Sequence, residues 1–454
     1  MNVLLISPNT LRVPYPVYPL GLDYVADSIG PGHQVRIVDL LAQAMDELAA
    51  TIADFKPDLI GISIRNIDNT DAVDSRYFLE DHRQLVTWLR QRTSAVLVAG
   101  GSGFTIMPQA ILELLGVDYG VVGEGERLPL LLDALARGRS PRNIPGIVSG
   151  QNQQEGSGAP LPPRPWPDQP FRRVDSQAAH TAFYLKNGGM LNLQTKRGCT
   201  FRCIYCPYPH IEGSSHRRIP PAKVAATALE LQRVGARYLF FTDSAFNSDI
   251  GHSMGVARAL KEAGLTIPWG AFFAPTALPD DYFTIMADGG CRHVEFGTES
   301  LSDTMLAAYR KPFRKRDVVL AHQQAIAAKL RVAHYFLLGG PGESAATLAD
   351  CFDSIEQLSQ AVYFLFAGIR IYPGTRLYEI ARQEGQIGAR TDLLQPVFYR
   401  PEAIDLTTIE SLVKERAGNR INWLCGAGGK AAADTVRTLH DRGMAGPLWE
   451  YLVR

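Results

Sequence analysis

The sequence predicts an α/β protein: a doubly wound parallel sheet in the first third, a second run of strands and helices after it, and a small helical segment at the end. Three observations carry this. Short apolar runs alternate with helical patterns over residues 1–150 and again over 181–400. A Gly- and Pro-rich stretch, 151–180, divides the two. From about Pro401 onward the pattern is helical only.

In the first third, Asn2 to Ser7 reads as a buried strand and Leu20 to Ile29 as a helix. Gln34 to Asp39 is the next strand, Ala42 to Phe55 a helix stopped near Pro57, and Leu59 to Ile64, Ala95 to Ala99 and Tyr119 to Val122 are further strands. Ligands of such sheets sit beyond the carboxyl ends of the strands. Those ends carry Ser7-Pro-Asn9, Arg65 to Asn69, Gly100-Gly101-Ser102-Gly103 and Gly123-Glu124-Gly125-Glu126. Glycine there lets a bulky ligand approach the backbone. No strand is followed by GxGxxG or GxxxxGK[ST], which disfavours the usual nucleotide folds.

The dividing stretch holds six prolines between Pro160 and Pro170 and cannot build a core of its own. After it, strands are expected before Cys199 and at Arg237–Thr242, Trp269–Phe273, His293–Gly297, Arg331–Leu338 and Phe364–Tyr372. Helices are expected at Pro221–Val234, His252–Ala263, Asp281–Asp288, Arg316–Lys329 and Ala345–Leu358, and in the tail at Thr407–Arg420 and Gly429–Arg442.

At 454 residues the chain can bury several cores, and 46 Lys and Arg balance 46 Asp and Glu. A net charge of zero predicts no electrostatic grip on nucleic acid or anionic membrane, so a small-molecule substrate is the default. MNVLLISPN is broken too early by Pro8 to be a signal peptide, and no membrane span is expected. Cys291, Cys351 and Cys425 stand singly, which fits a reducing cytoplasm.

The other three cysteines lie in Cys199-Thr-Phe-Arg-Cys203-Ile-Tyr-Cys206, between Gly198 and Pro207. Three soft thiolates on one loop can hold three irons of a cubane cluster and leave the fourth open. A structural zinc loop or buried thiols are the alternatives; His210 is the one nearby fourth zinc ligand.

This CxxxCxxC, with Tyr205 before its last cysteine, resembles the signature of the radical S-adenosylmethionine (SAM) enzymes. The resemblance implies a [4Fe-4S] cluster on Cys199, Cys203 and Cys206, SAM chelated at the open iron, a 5'-deoxyadenosyl radical, and a partial (β/α)6 TIM barrel. Its fourth-strand motif is matched by Val294 to Ser300, implying SAM contacts for Glu299 and Ser300. Its fifth-strand glycine motif is matched by Leu337 to Glu343, implying Gly339 and Gly340. Ile371 to Tyr378 is similar to its sixth-strand segment, implying Tyr372 beside the adenine. Asp243, where many members carry Gly-Gly-Glu, is the candidate for the SAM amino group, against a turn or N-cap role; for Glu299 the alternative is a structural salt bridge.

Pro19-Leu20-Gly21-Leu, Pro57 to Ser63, Ala99 to Ser102 and Val122 to Glu126 together resemble the Rossmann-like cobalamin-binding domain at the front of many such enzymes. The resemblance implies that Leu20, Gly21, Arg65, Gly100, Gly101, Ser102, Gly123, Glu124 and Glu126 border cobalamin. The DxHxxG motif is absent, so no protein histidine would ligate cobalt. Arg65 would face the corrin, where it offers donors and no lone pair; its alternative is pairing with Asp68 or Asp71. Glu124 and Glu126 are either cofactor neighbours or carboxylates at a helix N-terminus. His210, His216, Arg217 and Arg218 read first as solvated loop residues.

The function so implied is a cobalamin-dependent radical SAM methyltransferase, moving a methyl group from SAM via methylcobalamin to an unactivated carbon of a small-molecule or lipid-like substrate. It would draw electrons from a donor such as flavodoxin or ferredoxin. The alternatives are a radical SAM rearrangement, cyclisation or coupling without a methyl-carrying cobalamin, and a cofactor-binding regulator without turnover.

Overall fold

The computed structural model describes residues 1–12, 15–150, 174–426 and 429–452. The first sheet holds β1 (Asn2–Ser7), β2 (Gln34–Asp39), β3 (Leu59–Ser63), β4 (Val96–Gly100), β5 (Tyr119–Val121) and β6 (Ile147–Ser149) in the order β2-β1-β3-β4-β5-β6. β1 to β5 are parallel and β6 closes the edge antiparallel to β5. The order reverses between β1 and β3, so the ligand crevice of this doubly wound sheet lies at their carboxyl ends. Apolar faces on both sides of the sheet explain the near-continuous Leu, Ile and Val runs of β1, β3 and β4.

The second unit begins with helix Ala179–Lys186, inside the last residues of the expected linker; the proline-rich remainder lies outside the described residues. β7 (Met190–Leu193) leads to a hairpin of β8 (Lys196–Arg197) and β9 (Arg217–Arg218), with the cysteine loop between them. Then follow β10 (Tyr238–Phe241), β11 (Trp269–Phe273), β12 (Cys291–Glu299), β13 (Arg331–Leu338), β14 (Ala361–Ala367) and β15 (Trp423–Cys425). They form one parallel sheet in the order β15-β14-β13-β12-β11-β10-β7. β7 and β15 are its two edges, so the barrel is open.

The sheet has seven strands where six were expected, because the tail contributes β15, which pairs with β14. The strand expected at Phe364–Tyr372 ends at Ala367: Gly368, at φ +93, breaks the extended run and leaves Ile369 and Ile371 outside it. Side chains alternate along the strands. Phe241, Phe273, Val294, Phe296 and Phe336 join the core under the outer helices, while Phe240, Tyr335 and Phe364 belong to smaller clusters on the inner face. Some outer helices begin at side-chain caps: Asp249 accepts from His252 N, Ser344 from Thr347 N and Asp405 from Thr408 N.

Candidate functional site

The cysteine loop owes its shape to its neighbours. Gly198 takes φ +85, and a Cβ there would lie 2.1 Å from Ser215 O, so only glycine fits. Cys199 N donates to Gly213 O (3.1 Å), and Ile204 N donates to Tyr309 O (3.2 Å). Leu377 N donates back to Ile204 O (2.8 Å), and Ile204 is buried among Tyr309, Ile371 and Leu377. One apolar residue inside CxxxCxxC thus fixes the loop to the segments that follow β12 and β14, with Cys199 buried and Cys203 and Cys206 half-buried.

Burial pushes the Cys206 thiol up to about 12 and Cys203 above its ordinary value; Lys311 works against both. Such thiols ionise when positive charge is brought to them, as iron does. Among the described residues no three His, Cys, Asp or Glu side chains converge as they would on one metal ion. Three thiols going to three different irons have no such requirement.

Beside the loop lies a knot that pairs an expected residue with an unexpected one. Tyr205 Oη donates to Glu299 Oε1 (2.8 Å), while Lys311 Nζ reaches Tyr205 Oη (3.2 Å) and Glu299 Oε1 (3.3 Å). Lys311 and Glu299 side chains are only 7% and 11% exposed. Burial opposes the Lys311 charge, but Glu299 and Cys203 outweigh it and raise its pKa. Nothing in the local pattern announces Lys311; the turn after helix Asp303–Ala308 brings it in.

Tyr309 ties in the glycine motif. Its ring stands edge-on to Tyr205 (6.2 Å), its hydroxyl donates to Leu337 O (2.9 Å), and Gly340 N donates to that hydroxyl (3.2 Å). A Cβ on Gly340 would meet the Tyr309 ring at 2.2 Å. Gly339 N donates to Glu343 Oε2 (3.1 Å). Tyr205 thus touches Glu299 directly, and Tyr309 links Tyr205 to Gly340.

Other expected residues have different partners. Asp243 is wholly buried: its carboxylate accepts from Thr195 N (2.7 Å) and Thr195 Oγ1 (2.5 Å), and pairs with Lys196 Nζ (2.9 Å). A ligand amine would have to displace Lys196, so Asp243 anchors the start of the hairpin. Ser300 turns inward, where its Oγ accepts from Ser302 N (3.1 Å) and meets Cys351. Tyr372 packs in the core of the first domain, with its hydroxyl on Asp68, although its own segment passes the cysteine loop at Leu377.

At the carboxyl ends of the first sheet, Gly101 takes φ +104 and passes so close to Ile64 O that a Cβ would lie 2.6 Å from it. Ser102 Oγ donates to Arg65 O (2.8 Å), Thr105 Oγ1 to Gly101 O (2.9 Å), and Gly123 N to Thr105 Oγ1 (2.9 Å). The Gly100–Ser102 turn is thereby laced to its neighbours on both sides. Leu20 and Gly21 open the first helix, and a Cβ on Gly21 would meet nothing within 4 Å. Arg65 does not pair with Asp68 or Asp71: Asp68 is held by Arg370 (2.8 Å), and among the described residues no carboxylate lies at ion-pair distance from Arg65. Burial lowers its pKa, with Tyr184 and Tyr208 nearby.

Glu124 precedes and Glu126 lies within the 3-10 turn Gly125–Arg127 that opens helix Leu128–Ala136, so both stand at a helix N-terminus, and both are engaged in ion pairs. Glu126 pairs with Arg197 (2.6 Å), and Glu124 with Arg197 (3.5 Å) and Arg217. Burial opposes the Arg197 charge, but the two carboxylates more than compensate. Arg217, expected in solvent, is thus part of a clamp between the first sheet and the hairpin that bears the cysteines. His216 meets Ser248 (3.0 Å), Arg218 meets Asp249, and His210 stays exposed beside Gly374.

Comparison with known proteins agrees with this division. Residues 6–132 match the B12 binding domain family and residues 193–355 the radical SAM superfamily. The chain is 26% identical over 444 residues to a tryptophan 2-C-methyltransferase of Streptomyces laurentii, covering 82% of this chain and 73% of that one. It is 25% identical over 448 residues to a cytidylyl-2-hydroxyethylphosphonate methyltransferase of Streptomyces wedmorensis, covering 84% and 82%. In fold it is similar to the radical SAM methyltransferase TsrM of Kitasatospora setae, solved with tryptophan and a SAM analogue: TM-score 0.89 at 22% identity, over 99% of this chain and 97% of that one.

Proposed function

This chain belongs to the cobalamin-dependent radical SAM enzymes, with a B12 binding domain ahead of a radical SAM domain, and from that premise we propose that it is a methyltransferase, carrying a methyl group from SAM by way of cobalamin to a carbon of a small molecule. The tryptophan and the cytidylyl-2-hydroxyethylphosphonate enzymes, similar to this chain over most of its length, are methyltransferases on quite different substrates, which supports the reaction and leaves the substrate open. The observation that carries the proposal is how the two sheets meet. Glu124 and Glu126, after β5, clamp Arg197 and Arg217 beside the cysteine loop, and Asp68, after β3, clamps Arg370, after β14. The carboxyl ends of one sheet are held against those of the other, so groups bound at each face one seam.

The residues present fit both cofactors. Three soft ligands stand on one loop, and the glycine turn at the first sheet, with an Arg65 that has no carboxylate at ion-pair distance among the described residues, supports a cobalamin site there. When bound, the cluster with SAM supplies a carbon radical and cobalamin supplies a methyl carrier. Cys199, Cys203 and Cys206 hold three irons. Tyr205, Glu299 and Lys311 present a fixed, hydrogen-bonded set of charges beside them, and Gly340 lets the Tyr309 ring pack in under Tyr205. Arg65 offers donors and no lone pair to the corrin face. Asp68–Arg370, 0% and 2% exposed, and the Asp39–Tyr184 hydrogen bond (2.8 Å) close the seam to water.

A flavodoxin- or ferredoxin-like donor in a reducing cytoplasm suits a cluster that must be reduced, and all six cysteines are free. No helix among the described residues is long and apolar enough to cross a membrane. Anaerobically purified protein, titrated with cobalamin and assayed for 5'-deoxyadenosine from SAM under reduction, tests the reading. A corrin spectrum saturating at one equivalent, with nucleoside formed, supports it; a reduced, iron-loaded protein that takes up no corrin rejects it.

A further inference from the structure

Between the cysteine loop and the first sheet stands a hydroxyl that no other part of the chain uses. Tyr208 follows the last cysteine of the loop by two positions, and its backbone N–H faces the Cys206 sulfur. It opens the short helix Tyr208–Ile211, which packs against helix Ser102–Ile106, just past the glycine turn at the end of β4. The same helix passes the glycine that follows β5, where a Cβ on Gly123 would lie 3.8 Å from Ile211 O. The cysteine loop is thus carried directly onto the two strand ends where glycine lets a bulky ligand approach the backbone.

Three tyrosines surround Arg65: Tyr184, Tyr208 and Tyr15. Tyr184 donates to Asp39 (2.8 Å), and Tyr15 packs against the cluster of Met190, Tyr238 and Phe240 inside the barrel. Tyr208 is half-buried at the seam, and among the described residues its hydroxyl has no hydrogen-bond partner. The carboxylates in its surroundings are committed elsewhere: Glu212 accepts from Gln194 (3.0 Å) and Gly198 N (3.3 Å), and Asp243 is held by Thr195 and Lys196. A tyrosine hydroxyl set inside a protein usually has a partner, so this one points to a bound group.

We propose that Tyr208 is a further cobalamin contact: its hydroxyl hydrogen-bonds a carboxamide on the rim of the corrin and so ties the corrin to the loop that bears the cluster cysteines. A carboxamide offers both a donor and an acceptor, and a phenol matches either. Arg65, from the end of β3, and Tyr208, from the cysteine loop, then reach the corrin from the two units of the chain. The inference rests on the cobalamin site described above, and its test keeps the two apart.

Cluster-loaded, corrin-free protein is dialysed to equilibrium against hydroxocobalamin, and separately against cobinamide, which keeps the corrin rim and lacks the nucleotide tail. Iron per chain and SAM affinity are measured on the same preparations before any corrin is added. Tyr208→Phe removes only the hydroxyl and should weaken both corrins about fivefold, the worth of one hydrogen bond. Its iron content, SAM affinity and melting temperature should equal those of the parent. The assignment is overturned if Tyr208→Phe binds both corrins as the parent does, or if only hydroxocobalamin is weakened, which would put the hydroxyl on the tail. It is equally overturned if iron content or SAM affinity falls too, which would make the residue a prop of the cysteine loop. A parent protein that binds neither corrin defeats the cobalamin site itself, and the contact with it.

Discussion

Glu299 takes φ +63, a conformation that costs a non-glycine residue energy, and turns its carboxylate to Tyr205 and Lys311. Lys311 is the residue whose removal should be felt most: Lys311→Met leaves Glu299 buried without its cation. Removing one partner of a buried pair costs about 3 kcal/mol or more. Urea unfolding should register that loss, and iron per chain after reconstitution should fall with it; an unchanged midpoint would remove Lys311 from the site. The cysteines could be read from spacing alone, because a cluster loop is local in sequence. Lys311 could not, since its role arises from a helix turn meeting a loop more than 100 residues away. For the same reason Asp243, Glu124 and Glu126 were legible as charged strand-end residues but not as partners of Lys196, Arg197 and Arg217.

Strands with strong apolar alternation were legible at residue precision, as Trp269–Phe273 and Arg331–Leu338 demonstrate. β15 was not, because three residues carry no period, and the end of β14 was not, because apolar residues continue beyond Gly368. β12 shows what alternation does for chemistry: it places His293 and Glu295 on the inner face from one strand, while Glu299 follows a break in register after Gly297. Burial pushes the Glu295 carboxyl up to about 7 from the usual 4.5, with Trp449 and Tyr335 opposing and Glu450 reinforcing it. Between those values the folded chain holds a proton that the unfolded chain has released, so stability falls as pH rises across that window, by on the order of 3 kcal/mol. Glu295→Gln should flatten that fall, seen as a smaller difference between urea midpoints at the two ends of the window; an unaltered difference would contradict the assignment. Buried His293 acts in the opposite direction: its pKa is lowered, so its contribution is lost as pH falls below 6.5.

Across the whole molecule, two α/β units are joined by ion pairs that differ in kind from those on the surface. Asp68–Arg370 is 0% and 2% exposed, whereas Arg36–Asp54 is 48% and 72% exposed. Asp68→Asn strands a buried guanidinium and should cost about 3 kcal/mol; Asp54→Asn should change stability by about 0.5 kcal/mol or less. Equal melting shifts for the two variants would mean that the seam is not built as described. The division into two strand-and-helix units was legible because composition changes sharply between them. Which residues hold the units together was not, since Asp68 and Arg370 stand 302 positions apart and nothing local links them.

The account depends on a methyl group passing between the two units, and deuteromethyl SAM tests that most directly. Protein reconstituted with iron, sulfide and cobalamin is reduced anaerobically and incubated with labelled SAM, and the extracted corrin is weighed by mass spectrometry. The account predicts that the corrin gains the deuterated methyl group. A corrin that stays bound to iron-loaded protein and gains no label would contradict it.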